Sequence, residues 1–585
     1  MRTMAHLRIA RAPITHTSKL KFFHSLAIII IVATTSCISP PAHLAPAVSP
    51  QDIIHNLAPG AIEFAGYGGY QKSISTTSDA AQNWFDRGIQ LVYGFNHDAA
   101  VHAFARAAQE DPECAMAWWG IAYSYGVDVN NPDVSELEAQ YANVAINEAI
   151  RLKGNATPAE LSLIEAAAFR AVYPLPEDRT EIDLSYSQAM SRAWDAHQDD
   201  PDIGAMYAES LMNMQRWDYW GADGEALGNT EELLSALDDA MALNNFHPGA
   251  NHFYIHAIEA SKTPEKGIPS AERLKALVPG SGHLVHMPSH IFVNVGRYAD
   301  AVSANQRAID ADASYFSQVG TPTFYRLYFL HNIHFLTYAA MMTGQKELAL
   351  ETVLKMETEL PAEMLQAFAK DADSLSSVRL HVYMRFGMWQ ELVDFPEYED
   401  YRHVSRAMRA YTRSIAFANL LREDEARAEF ARFKELRGEV PSHWKIGNTV
   451  ADDVLAVAEN VALGEILWRE GEVESALDAL RTAVDQEHEL LYAEPPGWMI
   501  PVRHVLGAIL LAADQPVEAQ SVYEVDLDEH PGNAWSLLGI TQSLRMQNKV
   551  KEADAYTASL NKAWINADVT PHASCYCGAE LLRRD

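Results

Sequence analysis

The chain has 585 residues, 48% of them hydrophobic, which is more than one ordinary domain core needs and too apolar for a disordered chain. Its 78 acidic residues against 45 basic ones give a formal net charge of −33. Such a surface repels phosphate backbones and argues against nucleic acid as a partner, while it draws cations and aids solubility. From Met1 to Ser36 the sequence reads as a targeting segment. Arg8, Arg11, Lys19 and Lys21 form its positive region, and Phe22 to Val32 an apolar run of secretory length, short of a membrane span.

The run ends in Thr34-Thr35-Ser36-Cys37, which resembles a bacterial lipoprotein cleavage box with Cys37 as the lipidated residue. Thr34 stands where such boxes usually carry Leu, so plain secretory cleavage is the alternative. Residues 37–50, rich in proline, read as a tether. The expectation is export to the periplasmic side of the cell envelope, with membrane contact only through a lipid anchor at Cys37.

Beyond residue 50 nearly every stretch has helical periodicity, broken by short Gly, Pro or Asp punctuation. A 34-residue period is present. The unit from Ala81 to Cys114 carries Gly88, Ala100, Phe104, Ala107 and Pro112 at positions 8, 20, 24, 27 and 32. Further units begin at Gly282, Leu330, Ala407, Val457 and Ile500, and Trp535 opens a last one. Small residues at these spacings let the first helix of a unit (helix A) pack closely on the second (helix B), large ones fill the gap, and proline stops helix B. This pattern resembles the tetratricopeptide repeat (TPR), which implies an all-α, TPR-like right-handed superhelix of helix-turn-helix repeats. The organisation expected is 1–36 signal, 37–50 tether, 51–130 N-terminal repeats, 131–247 degenerate repeats, 248–350 central repeats and 351–585 C-terminal repeats. Cys114–Gly120, His247–His252, Gly282–His290 and Glu494–Trp498 also look like segments of a group of bacterial TPR proteins with no settled activity.

The central repeats carry the chemistry. His252 and His256 are four apart, with Glu259 three further on. His283, His286 and His290 are separated by three and four, and His331 and His334 by three. Residues three or four apart share a helix face. Numbered from units starting at Pro248, Gly282 and Leu330, these side chains fall at positions 2, 5, 9 and 12 of helix A. The TPR resemblance implies that those positions line a concave groove. Neighbouring packed helices lie about 8–10 Å apart, so their imidazoles can converge. Seven imidazoles exceed the about four ligands one zinc takes, so one or two ions of copper, iron or zinc are expected, in the manner of dinuclear copper sites built from histidines in threes. Glu259 is a candidate ligand or general base. A histidine-lined groove that binds a peptide or carboxylate without metal is the alternative.

Trp119, Tyr123, Tyr254 and Tyr325 are candidate walls or hydrogen-bond donors of the ligand groove, against ordinary packing roles. Glu494 to Arg503 reads either as a lid with Glu494 and Arg503 paired, or as a proline-stiffened loop. His572, Cys575 and Cys577 offer a further metal set or a local disulfide, and Cys114 reads as core. No nucleophile elbow, phosphate loop or HExxH zincin motif is present. The functional expectation is a metal-dependent oxidoreductase or hydrolase, or a metal-binding protein, acting on a small molecule or peptide in the groove. The alternative is a cell-envelope scaffold for protein partners without chemistry.

Overall fold

One backbone conformation recurs at one repeat position. In the units beginning at Ala81, Gly282, Leu330, Ala407, Val457 and Ile500, position 15 is Phe95, Gly296, Gly344, Leu421, Gly471 and Asp514, and each has φ between 54° and 85°. This left-handed residue turns helix A back onto helix B in the shortest loop. The computed structural model describes residues 48–221, 224–320 and 324–577. The targeting segment and Cys37 lie outside the described residues. Within them, helices follow one another from Pro50–Leu57 to Val550–Ala563. The only two-stranded sheet among the described residues pairs Lys445–Ile446 with Thr449–Val450. None of these helices is long and apolar enough to cross a membrane.

The first hairpin shows how sequence becomes packing. Helix Asp79–Tyr93 starts at Ser78, whose hydroxyl accepts from the Ala81 N–H. Helix His97–Glu110 starts at Asn96, whose side chain accepts from the Ala99 N–H. A Cβ on Gly88 would stand 2.5 Å from the Phe104 ring, and one on Gly120 2.4 Å from the same ring. The position-24 ring is therefore clamped between glycines of its own helix A and the next one. Tyr523 is held in the same way by Gly507 and Gly539. Across the described residues, this geometry is an all-α stack of TPR-like helical hairpins. The segment 131–247, which matches the repeat poorly in sequence, still forms hairpins, among them Pro158–Arg170 with Thr180–Ala196 and Pro201–Met214 with Thr230–Leu243.

In an ordinary repeat array each unit touches only its neighbours. Here late repeats pack on central ones. Trp535 Nε1 donates to the Met341 carbonyl at 2.9 Å, Asn294 Nδ2 to the Tyr492 hydroxyl at 2.9 Å, and the Lys346 N–H to Asp568 at 2.7 Å. The described residues from Val48 onward form one compact unit. The inner face of the central helices, which the sequence reading expected to line a concave groove, is buried.

Candidate metal centre

Three helix A segments bring the histidines together. The first, Pro248–Ile258, carries His252 and His256. The second is broken into Gly282–His286 and Pro288–Asn294 because Pro288 lacks the N–H that would continue the ladder. It carries His283, His286 and His290. The third, Arg326–Met342, carries His331 and His334. His252, His256, Glu259, His283, His286 and His290 are all at most 2% exposed, and His331 and His334 are half-buried.

The imidazoles form two sets of nearly equal shape. In the first, ring centroids of His252, His256 and His283 lie 4.8, 4.8 and 6.0 Å apart. In the second, those of His286, His290 and His331 lie 4.6, 4.7 and 5.7 Å apart. One ligand nitrogen from each residue in a set lies within 4.8 Å of the others. The likeness follows from the repeat. Each set takes positions 5 and 9 of one helix A and position 2 of the next. The sets adjoin, with His256 and His290 rings 5.6 Å apart and His283 and His286 rings 6.1 Å apart. A third set starting at His334 is not completed, because Tyr338 occupies position 9 of that helix. His334 instead shares the wall of a cavity with His381.

The nitrogen away from each cluster is held by a partner that is not histidine. His252 Nδ1 lies 2.7 Å from the Tyr93 carbonyl and therefore donates to it. His256 Nδ1 lies 3.0 Å from Glu259 Oε1, and His290 Nδ1 2.5 Å from Glu259 Oε2 and 3.1 Å from Glu494. His286 Nδ1 lies 2.6 Å from Asn305 Oδ1. The Asn305 amide is turned that way because its Nδ2 donates to the Ala301 carbonyl. Four rings thus have Nδ1 held by an acceptor and Nε2 turned into the cluster, the orientation that metal-binding histidines adopt, with His252 Nε2 3.0 Å from His283 Nε2. His256 Nε2 and His283 Nδ1 are buried with no partner. His286 Nε2 and His290 Nε2 face each other at 2.6 Å. Two lone pairs repel at that distance, so without an ion one of these nitrogens carries a proton, and an ion bonded to both at about 2.0–2.1 Å would have to spread them apart.

Electrostatics favours the free-base form for most of the set. Burial pulls His252 down to about 3. Burial, reinforced by the neighbouring imidazoles, takes His256, His283, His286 and His331 well below the usual histidine value. His290 goes the other way. Burial opposes its charge, but Glu259 and Glu494 outweigh it and hold the ring up at about 10. Burial pushes Glu259 up to about 8, and Glu494 adds to the rise.

Glu494 was weighed from sequence as a partner of Arg503. In the structure Arg503 pairs with Glu529 at 2.5 Å instead, and Glu494 turns inward to His290. The segment 493–497 and Met499 line a cavity of about 370 Å³ that reaches His256, His283, His290 and His331. Trp217 stands against His256 at 5.1 Å, and Phe95 against His252 at 4.5 Å and His283 at 5.5 Å. Trp217 and Phe95 are two of the five described non-glycine residues with positive φ. For Phe95 this is the repeat turn at position 15, whereas Trp217 lies outside that pattern.

The other candidates lie elsewhere. Trp119 and Tyr123 are core side chains, donating to the Leu163 carbonyl and to Glu209. Tyr254 is buried on the first histidine helix and does not line the cavity, and the Tyr325 hydroxyl accepts from the His283 N–H. Cys575 and Cys577 are joined as a disulfide, and Cys114 is a buried free thiol. Sequence reasoning missed the anchor beneath the first set. His247 caps its helix, accepting from the Ala250 N–H, and donates through Nε2 to Asp202, which also receives Tyr93 Oη and Lys72 Nζ.

No family model and no curated protein match the chain. Among solved structures, the human IFIT1 dimer with m7Gppp-AAAA is 10% identical, covering 88% of this chain and 94% of that one at a TM-score of 0.32. The APC/C hetero-tetramer Cut9–Hcn1 is 10% identical, covering 87% and 96% at a TM-score of 0.26. The P58(IPK) TPR domain is 13% identical, covering 62% and 92% at a TM-score of 0.17. Likeness at these scores carries no argument about function, and the fold assignment rests on the hairpins themselves.

Proposed function

We propose that this chain is a metalloprotein that binds two transition-metal ions, one in each histidine set, and acts on a small molecule in the adjoining cavity. One observation carries the reading. Imidazole nitrogens converge in two equivalent threes, while Tyr93, Glu259 and Asn305 hold the outward nitrogen of four of the rings. Both Glu259 oxygens take imidazole N–H groups, so it orients His256 and His290 and leaves the inner donors all nitrogen. That donor set suits copper, zinc, iron or nickel, with copper first in affinity. Bound copper or iron would supply redox chemistry with dioxygen, and bound zinc an activated water. The protein's own task is to keep the lone pairs free, fix ring orientation and exclude bulk water behind Glu494 and Phe95. A scaffold without chemistry fits less well, since the inner helix face that would take a peptide is buried. We also propose that the chain is exported and anchored through Cys37, which a Cys37→Ser variant released from the membrane fraction would support.

The test is elemental analysis of the untagged full chain from its own host background. We expect two equivalents of metal, falling to one in His286→Ala/His290→Ala and to one in His252→Ala/His256→Ala. Metal below about a tenth of an equivalent, with no uptake on titration, would refute the reading.

A further inference from the structure

Segment 572–577 brings a different set of metal ligands to a helix far along the chain from the histidines. Glu465 stands at position 9 of helix A in the unit from Val457, the repeat position that carries His256 and His290 in the central units. It lies on the helix Ala451–Arg469 and is 2% exposed. Cys575 and Cys577 are laid against it, so that a carboxylate oxygen and both sulfurs fall within 4.8 Å of one another. The carboxylate is oriented from behind. Asn419 Nδ2 donates to Glu465 Oε2 at 2.9 Å and to the Ile415 carbonyl at 3.0 Å. Arg469 Nη2 donates to Asn419 Oδ1 and, at 2.8 Å, to the Cys577 carbonyl.

The S–S bond is not what keeps these groups together. Closing a loop with one intervening residue constrains the unfolded chain little. The segment is held by hydrogen bonds that reduction leaves intact: Ser574 Oγ donates to the His504 carbonyl at 2.7 Å, Gln542 Nε2 to the His572 carbonyl at 2.6 Å, and Arg469 to that of Cys577. A disulfide also offers a buried carboxylate neither a proton nor a charge, whereas a thiol offers the first and a metal ion the second. The Cys577 N–H donates to Cys575 Sγ at 3.0 Å, a contact that stabilises a thiolate.

We propose that Cys575, Cys577 and Glu465 form a redox-gated metal site that takes zinc when the disulfide is reduced and none when it is oxidised. A dithiol reductant supplies the two electrons. Its thiolate attacks the sulfur of Cys575, the more exposed of the pair, and Cys577 leaves with the electrons of the bond. The reductant's second thiol then releases Cys575 and closes the reductant's own disulfide, and its two protons end on the cysteines. Zinc displaces both protons to solvent. It is held by two sulfurs at about 2.3 Å and one oxygen at about 2.0–2.2 Å, with a fourth position left open. Breaking the S–S bond lets the sulfurs part to the spacing of two zinc ligands. Thiolate donors set this site apart from the all-nitrogen histidine sets, and it stands whether or not those sets hold metal.

Cobalt(II) reports the site, because its bonds to thiolate give a near-ultraviolet charge-transfer band that imidazole ligands do not. The full chain is treated with dithiothreitol, desalted under nitrogen and titrated with cobalt beside chain left oxidised. We expect the band in the reduced chain, its loss on adding zinc, and none in the oxidised chain. His286→Ala/His290→Ala should keep the band, as should Cys114→Ser, which removes the buried free thiol. Cys577→Ser should abolish it. Glu465→Gln, with its thermal melt unchanged, should weaken zinc at this site by at least about tenfold, measured by competition with cobalt. No band in the reduced chain would overturn the proposal, as would a band of equal strength in Cys577→Ser. An unaltered zinc affinity in Glu465→Gln would overturn it too, and that measurement needs no cysteine variant to fold.

Discussion

Asn305 occupies position 24 of its repeat, where Phe104, Phe430 and Tyr523 place rings in other units. A buried amide in a packing position is retained only if its hydrogen bonds are met. Asn305 meets them by accepting from His286 Nδ1 and donating to the Ala301 carbonyl. Its effect should be confined to the second histidine set. Asn305→Leu, which restores an apolar residue to that position, should weaken the second ion's affinity by about 10–100-fold and leave the first unchanged. Chelator competition followed ion by ion reads this directly. Equal weakening of both would show that Asn305 acts on the fold and not on one ring.

At the scale of the helical hairpin, the residue at position 15 decides between turn geometry and site. Leu421 is 68% exposed with φ 58°, and Phe95 is 4% exposed with φ 54°. Glycine at either position relieves a left-handed backbone that disfavours side chains by about 1–2 kcal/mol. Leu421→Gly loses little packing and should raise stability by about 1 kcal/mol. Phe95→Gly removes a buried ring worth about 3–5 kcal/mol and should lower stability by about 2 kcal/mol or more. Urea midpoints of the two variants should therefore move in opposite directions. A rise in both would mean that the Phe95 ring contributes little packing, and a fall in both that the left-handed backbone at Leu421 costs nothing.

The period of 34 was legible, and with it the position of every histidine on its helix, because small and large residues alternate at fixed offsets. The pairing into threes was also within reach, since positions 5, 9 and the next 2 recur. Asn305 could have been found as the polar exception at a packing position. The segment of Glu494 was read as a lid or a stiff loop, but its partners were not legible, because Glu259 and His290 are more than 200 residues away in the chain and nothing local marks a glutamate that will face them. The same holds for Tyr93, whose contribution is a backbone carbonyl.

Across the whole molecule, the closure of late repeats on central ones is fastened by a buried polar network. His504 accepts from Arg385 at Nδ1, at 3.0 Å, and donates to Asp526 from Nε2, at 3.0 Å. The C-terminal segment joins it through Ser574, which donates to the His504 carbonyl. Burial, with the Arg385 charge opposing protonation and Asp526 only partly offsetting them, takes His504 down to about 4. The folded chain then binds fewer protons than the unfolded chain between about pH 4 and the usual histidine value of about 6.5. This contribution is complete above about pH 6.5 and is lost as pH falls toward 4, up to about 3 kcal/mol. Melting temperature should drop across that window, and His504→Gln, which cannot titrate, should flatten the slope. An equal slope in the variant would assign acid sensitivity to other groups.

The late position of Glu494 in the chain also sets an order of events. Synthesis runs from the N-terminus, so all seven imidazoles are complete long before the segment that covers them exists. An ion can reach the open cluster during that interval. Once residues 490–500 have closed over it, departure requires the covering segment to lift, so the release rate should follow local opening of that segment and not the strength of the nitrogen donors.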